Sequence, residues 1–194
     1  MQGYPSFRPV LSSLAAAAVA LLLLAAPASA DEIAYQCNSD ICVVNPDSGT
    51  PTNLTNTSGG NSEWYPAWSP DGTRIAYGGN YGASWDTWVL NVANPGTTTQ
   101  VTNTPAGAES NSYPPAWSPG GTRIASVYHP DASNDPLGDE IIVSNADGTG
   151  GDVHVGTGSG MVDEAYPSYS PDGSKIMFVR DPFAVYTANS AGGD

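Results

Sequence analysis

The sequence has very few basic residues. Only five of its 194 residues are lysine or arginine, against 19 aspartates and glutamates, and the formal net charge is −14. A surface of this sign repels the phosphates of nucleic acids and the headgroups of anionic lipids. We therefore expect no nucleic-acid partner and no attachment to an anionic membrane surface.

Helical periodicity is also absent after the first thirty residues. No later segment repeats apolar residues every three to four positions. Instead, 22 glycines and 17 prolines separate short runs that are rich in Ile, Val, Tyr and Trp. This pattern is typical of short strands joined by tight turns, and the abundance of large apolar residues argues against disorder. The sequence predicts an all-β fold.

Long hydrophobic runs are missing except at the N-terminus. Leu14 to Ala26 is a run of 13 Ala, Leu and Val residues, followed by Pro27 and the small-x-small segment 28–30. The run is shorter than the ~20 residues that cross a bilayer. We predict that residues 1–30 are a signal peptide, with an uncleaved anchor as the alternative. The chain is then exported, to the periplasm or outside the cell, and is not inserted in the membrane after cleavage.

Only two cysteines are present, Cys37 and Cys42, with four residues between them. An exported chain meets an oxidising compartment, where a cysteine pair is more often a disulfide than a metal site. A turn over residues 38–41 would place the two side chains opposite each other on adjacent strands. We predict a Cys37–Cys42 disulfide, and two free thiols are the alternative.

One segment occurs three times, at residues 65–77, 113–125 and 166–178, about 50 residues apart. Each copy reads Tyr-Pro, an aromatic residue, Ser-Pro-Asp-Gly or Ser-Pro-Gly-Gly, a basic residue and an apolar strand. Proline is tolerated at the start of a strand, and Ser-Pro-Asp-Gly is a tight-turn sequence. Spacing of this size is typical of the blades of a β-propeller.

The remainder of each repeat supplies two more predicted strands. The third strands cover residues 40–47, 86–91, 140–148 and 184–189, and the fourth strands cover residues 53–57, 100–104 and 153–157. Four strands per repeat make a propeller blade, which is a four-stranded antiparallel sheet. The chain holds about three and a third such repeats, so we expect an open arc or a fragment of a larger propeller.

The repeated motif resembles that of the TolB-type β-propeller family. The resemblance covers nearly all of residues 31–194, which we assign as a partial TolB-like propeller domain. It implies a propeller, often six-bladed, in periplasmic or secreted proteins, and the family includes propellers attached to prolyl-oligopeptidase-like hydrolases. The second copy departs from the motif through an extra Pro115 and through Gly120 in place of Asp. We expect the arc to be truncated or to be completed head to tail by another copy.

No arrangement of residues indicates catalysis. A Gly-x-Ser-x-Gly motif is absent, and the two histidines, His129 and His154, lack further ligands at metal-binding spacing. Aspartates at predicted turns are isolated from second carboxylates, so they favour turn formation over calcium binding. We predict a protein that is not an enzyme and has no cofactor or metal.

Acidic and aromatic residues precede the innermost strand of each predicted blade. In a propeller these positions converge at one mouth of the central channel, where they would offer carboxylates and phenol rings to a basic peptide, a sugar or a cation. The alternative is a set of solvated acidic loops. The candidate partner-binding residues are Glu63, Tyr65, Glu109, Tyr113, Asp163, Glu164 and Tyr166.

The basic residues Arg74, Arg123 and Lys175 share one repeat position. They form either a ring for an anionic ligand or, as the regular spacing favours, structural contacts within the propeller. Taken together, these patterns predict a scaffold that binds a protein or peptide partner. A hydrolase-associated propeller that gates substrate access is the alternative. A sugar-binding propeller that uses Trp64 and Trp85 is a weaker one.

Overall fold

The computed structural model describes residues 32–57, 59–82, 84–105, 108–110, 113–130, 138–155, 162–180 and 184–190. The predicted signal peptide, residues 1–30, lies outside these ranges and stays a prediction. The described residues contain strands, turns and bends but no helix. None of these residues therefore forms a helix that could cross a membrane.

The strands form four consecutive blades. The first blade contains β1 (Ile33–Cys37), β2 (Asp40–Val44) and β3 (Pro51–Asn53). The second contains β4 (Ser62–Trp68), β5 (Arg74–Asn80), β6 (Trp85–Asn91) and β7 (Asn94–Gln100). The third contains β8 (Glu109–Ser110), β9 (Ala116–Trp117), β10 (Arg123–His129), β11 (Glu140–Asn145) and β12 (Val153–His154). The fourth contains β13 (Glu164–Tyr169), β14 (Lys175–Arg180) and β15 (Ala184–Asn189).

Within each blade, strands that follow one another in the chain pair antiparallel, which confirms the all-β propeller-blade fold. The innermost strand of the third blade is the exception, because it is split into β8 and β9, which both pair with β10. Pro114 and Pro115 lie between the two pieces, and neither has an N–H to donate to a strand ladder. A single parallel bridge between Trp85 and Glu109 joins the second blade to the third.

The hydrophobic core lies between the blades. Ile41 and Val43 of the first blade pack against Ile75 and Leu90 of the second. Two further clusters repeat this arrangement, one between the second and third blades and one between the third and fourth. A central strand therefore buries both of its faces, which explains why strands such as β5 and β11 lack polar alternation.

The Ser-Pro-Asp-Gly segments form the turns between the first and second strands of the blades. In the second blade the Ser69 hydroxyl donates to Asp71 Oδ1 at 2.6 Å and accepts from the Arg74 N–H at 3.0 Å. Gly72 adopts a φ of 67°, a conformation that a side chain would strain. The same pattern of hydrogen bonds recurs at residues 170–175. One hydroxyl and one carboxylate thus fix each of these two turns.

The predicted bounds of the fourth strands are wrong. The corresponding strands β3, β7 and β12 end earlier than predicted. The buried residue that follows each of them donates its N–H to the main chain of the neighbouring strand, β2, β6 or β11. The donor and acceptor pairs are Leu54 and Ile41 at 2.9 Å, Val101 and Thr87 at 2.8 Å, and Val155 and Ile141 at 2.9 Å. Each donor side chain enters a core cluster between blades, so packing against the neighbouring blade ends the strand at this point.

The predicted disulfide is confirmed. Cys37 ends β1 and Cys42 lies in β2, and the two are bonded with their Cα atoms 5.8 Å apart. Asn38, in the turn between them, has a φ of 58°, which asparagine tolerates better than most residues. The bond therefore fastens the hairpin at the start of the described chain.

Arg74 joins the second blade to the third. Its Nη2 donates to the carbonyl oxygen of Gly121 at 2.7 Å, and its guanidinium lies 4.7 Å from the centre of the Trp117 ring. Trp117 in turn donates from Nε1 to the carbonyl oxygen of Ala67 at 3.0 Å. Arg74 therefore makes structural contacts within the propeller, as the regular spacing of the basic residues predicted.

We expect Arg74→Ala to destabilise the chain by about 1–2 kcal/mol, because it removes a charged hydrogen bond and a cation–π contact between blades. Lys175→Ala is the matched control, since Lys175 has the same repeat position but is exposed, and it should change stability by less than about 0.5 kcal/mol. Denaturant unfolding measures both values. Equal effects of the two substitutions would contradict the role of Arg74.

Candidate partner-binding site

One end of each blade gathers three chain segments, which we call the entry end. In the second blade the start of β4, the end of β5 and the start of β6 lie side by side, because Ser62 pairs with Asn80 and Asn80 pairs with Trp85. The Ser-Pro-Asp-Gly turns lie at the opposite end. Five of the seven predicted partner-binding residues lie on the innermost strands toward the entry end, Asp163 directly precedes β13, and Tyr113 lies between β8 and β9.

Tyr65 and Tyr166 are placed by matching bulges in β4 and β13. Both have a φ of 57°, and the pairing register shifts on either side of each tyrosine. A positive φ costs a bulky residue of order 1–3 kcal/mol, so the paired residues around the bulge must hold it in place. The bulge turns the side chains outward, and they are 37% and 58% exposed.

Each of the three repeat tyrosines contacts another aromatic ring at the entry end. The rings of Tyr113 and Tyr166 are 4.7 Å apart at an interplanar angle of 64°. Tyr65 packs edge-on against Trp64 at 6.0 Å, and Trp64 lies 4.7 Å from Trp85. These contacts form two aromatic groups, and Tyr65 lies near enough to Tyr113 to raise the pKa of its phenol.

Carboxylates border this surface between the third and fourth blades. Asp163 is exposed, and its Oδ1 accepts a hydrogen bond from the Asp139 N–H at 3.3 Å. Burial raises the pKa of Tyr113, as do the negative charges of Asp139 and Asp163 and the nearby phenols of Tyr166 and Tyr65. We call Tyr65, Tyr113, Asp163 and Tyr166 the tyrosine–acid surface, and the buried Asp139 lies beside Tyr113.

His129, for which the sequence predicted no role, adjoins this surface. His129 Nδ1 and the buried Asp139 share a hydrogen bond at the end of β10. The two residues are ten positions apart, and only the pairing of β10 with β11 makes them neighbours. No motif in the sequence signals this contact.

Glu63 and Glu164 do not belong to the exposed surface, and their predicted place in an open carboxylate ring is wrong. Both side chains are 0% exposed. Each residue instead connects its blade to the preceding one. The Glu63 N–H donates to the carbonyl oxygen of Ser39, and the Glu164 N–H donates to that of Asp139, both at 2.9 Å. Both carboxylates are buried because the preceding blade covers them.

The equivalent ladder position of the third blade holds a serine and not an acidic residue. Glu63 pairs with Gly79 and Glu164 pairs with Arg180, and the residue at the corresponding ladder position of the third blade is Ser110. Ser110 is fully buried beside the hydroxyls of Thr87 and Ser126, which are 2.9 Å apart. Glu109 lies one position earlier in β8. Ser110 precedes Tyr113 by three residues, whereas Glu63 and Glu164 precede Tyr65 and Tyr166 by two.

No group of three or more His, Cys, Asp and Glu side chains that could hold a metal ion occurs in the described part of the chain. The exposed groups at the entry end are phenols, indoles and carboxylates. Such groups bind by stacking, hydrogen bonding and attraction to cations.

Comparisons with known proteins support the architecture. No protein-family model matches the sequence, and no curated protein matches it. Among solved structures, TolB from Acinetobacter baumannii aligns with a TM-score of 0.60 and 17% identity over 84% of this chain and 39% of its own. The chain has a TolB-like β-propeller fold.

Enzymes are similar to this chain in fold as well. A puromycin-hydrolyzing peptidase from Mycobacterium tuberculosis aligns with a TM-score of 0.62 and 19% identity, over 84% of this chain and 26% of its own. An oligogalacturonate lyase in complex with manganese aligns with a TM-score of 0.53 and 21% identity, over 80% of this chain and 42% of its own. This chain thus spans well under two thirds of the length of each of these proteins.

We expect Asp163→Asn to lower the pKa of Tyr113, because it removes one of the negative charges that oppose ionisation of the phenol. Tyrosinate absorbance across an alkaline titration measures the change, and Tyr113→Phe identifies the transition. Asp147→Asn, in an exposed turn, is the charge-matched control and should leave the Tyr113 pKa unchanged. An equal shift in both variants would show that only overall charge matters.

Proposed function

We propose that this chain is a non-enzymatic, exported propeller that binds a protein or peptide partner at the tyrosine–acid surface. The observation that carries the proposal is the pair of bulges that hold Tyr65 and Tyr166 outward in a strained conformation. Strain of this kind persists where surrounding structure enforces it, and it is concentrated at functional sites. The same bulge in two blades presents a repeated aromatic group at one end of the arc.

The chemistry of the surface favours a basic partner segment. Phenol rings attract ammonium and guanidinium groups through their faces, at roughly 0.5–2 kcal/mol each. The exposed Asp163 adds a carboxylate next to Tyr113 and Tyr166. A net charge of −14 also attracts a cationic partner from a distance and speeds its association. A lysine or arginine side chain placed between the rings satisfies all three features.

Export is supported by the Cys37–Cys42 disulfide, because disulfides persist mainly in oxidising compartments. The predicted signal sequence and the TolB-like fold agree with that location. A scaffold role is favoured because the sequence lacks a Gly-x-Ser-x-Gly nucleophile motif.

The test uses synthetic peptide libraries with one central Lys or Arg, and matched libraries with Glu at the same position. We expect the basic libraries to bind and the acidic libraries not to bind. Tyr166→Ala and Asp163→Asn should each weaken binding of a selected peptide about tenfold, which corresponds to roughly 1.4 kcal/mol. Calorimetric titration measures the affinities.

The control is Lys175→Ala, which changes an exposed residue at the opposite end of the fourth blade and should leave the affinity unchanged. Equal binding of basic and acidic libraries would contradict the charge preference. Binding that survives both Tyr166→Ala and Asp163→Asn would show that the partner site lies elsewhere.

A propeller that gates the active site of a hydrolase is the second candidate. The structural similarity to the puromycin-hydrolyzing peptidase favours it. An activity-based fluorophosphonate probe, applied to the native protein in its source cells, separates the two proposals. Labelling of a polypeptide that contains this chain would support the hydrolase and overturn the scaffold.

A sugar-binding propeller is the weaker candidate, supported by the exposed Trp64 that packs on Trp85. Tryptophan rings offer flat apolar faces to stack against a ligand. Glycan-array binding that is lost in Trp85→Ala would favour this function over the peptide partner. An array without binding would eliminate it.

A further inference from the structure

Two buried glutamates occupy matching positions but have different partners. Glu164 accepts hydrogen bonds from the guanidinium of Arg180, its cross-strand neighbour, and from the Ile141 N–H at 3.2 Å. Glu63 has Gly79 as its cross-strand neighbour and no ion pair with a basic side chain within the described ranges. A full charge at Glu164 is compensated, whereas the same charge at Glu63 would face no cation.

A tyrosine takes the space that a side chain at position 79 would fill. A Cβ atom on Gly79 would lie 2.6 Å from Cε2 of Tyr81, so only glycine permits this approach. The Tyr81 hydroxyl donates a hydrogen bond to Glu63 Oε1 and lies 3.1 Å from the Tyr77 hydroxyl. Glu63 is therefore enclosed by neutral phenols at the site where Glu164 meets a guanidinium.

The second carboxyl oxygen of Glu63 is buried without a hydrogen-bond partner among the described residues. The groups that face the carboxyl from the first blade are the Thr55 hydroxyl, the Ile41 N–H and the carboxylate of Asp40. Burial raises the pKa of Glu63, and Asp40 raises it further, while the nearby Thr55 hydroxyl, the Tyr81 hydroxyl and the Ile41 N–H lower it. The net pKa lies above the ordinary value for glutamate because burial is the largest effect.

We propose that Glu63 is a proton-binding site that makes the junction between the first and second blades sensitive to pH. In its neutral form the side chain is an uncharged carboxylic acid, which costs less free energy to bury than an anion does. In its ionised form it is a buried anion with no cation beside it. Loss of the proton therefore weakens the contact of β4 with the first blade.

The sign of the effect follows from linkage between protonation and folding. The folded state keeps the Glu63 proton at a pH where the unfolded chain has lost it, because the folded pKa is the higher of the two. Stability from this group is complete below the unfolded pKa, is lost as pH rises, and is absent above the folded pKa. Between the two values the folding equilibrium constant falls up to tenfold per pH unit.

Glu63→Gln isolates the effect, since glutamine keeps an oxygen for the Tyr81 hydroxyl but does not titrate. We measure the folding equilibrium constant of the original chain and divide it by that of the variant. We expect this ratio to fall as pH rises from about 4.5 to 8. Denaturant unfolding at a series of pH values measures the ratio. A ratio that is independent of pH would overturn the proposal.

Glu164→Gln is the matched control, because it removes the ion pair with Arg180 at the equivalent position. It should weaken folding at neutral pH, whereas Glu63→Gln should leave it equal or strengthen it. Comparable losses in the two variants at neutral pH would mean that Glu63 is held as an anion, as in an ordinary ion pair, and would contradict the proposal.

Infrared spectroscopy tests the proposal even where a variant fails to fold. A carbonyl band of a protonated carboxylic acid should persist in the folded original chain above the pH at which exposed carboxylates have ionised. Tyr81→Phe should move the loss of this band to higher pH, because it removes a hydrogen bond that favours the anion. Absence of the band, or a shift in the opposite direction, would overturn the assignment.

Discussion

Packing of each blade against the next is the interaction on which the rest of the structure depends. A three- or four-stranded sheet of this size cannot bury enough apolar surface alone, so each blade uses a neighbour to cover its face. Ile41, Ile75 and Leu90 share one such junction, and two more clusters repeat it along the chain. Short strands with both faces apolar follow directly from this requirement.

A buried junction must also satisfy the polar groups that it encloses. The three junctions do this differently at one equivalent ladder position. Glu63 accepts from Tyr81, Ser110 meets the Thr87 hydroxyl, and Glu164 meets a guanidinium. The repeat thus keeps its geometry while the chemistry of the position varies from neutral hydroxyls to a full ion pair.

The same innermost strands carry the candidate binding surface. Glu63 and Glu164 fix β4 and β13 to the preceding blades, and the bulges two residues later turn Tyr65 and Tyr166 outward. Anchored strands provide the rigid support that a strained conformation needs. Structural residues and candidate binding residues therefore alternate along the same short segments, which is why the sequence pattern placed both kinds in one candidate set.

Local chemistry allowed much of this protein to be predicted from the sequence. The turns between strands and the Cys37–Cys42 hairpin depend on residues close together in the chain, and the all-β class follows from composition and spacing. The burial of Glu63 depends instead on which blade covers which strand, and so does the presence of Ser110 at the equivalent ladder position of the third blade. The same holds for the contact of His129 with Asp139. Only the tertiary structure decided these features. Burial and charge compensation depend on residues that are far apart in the sequence and become neighbours only when the blades pack together.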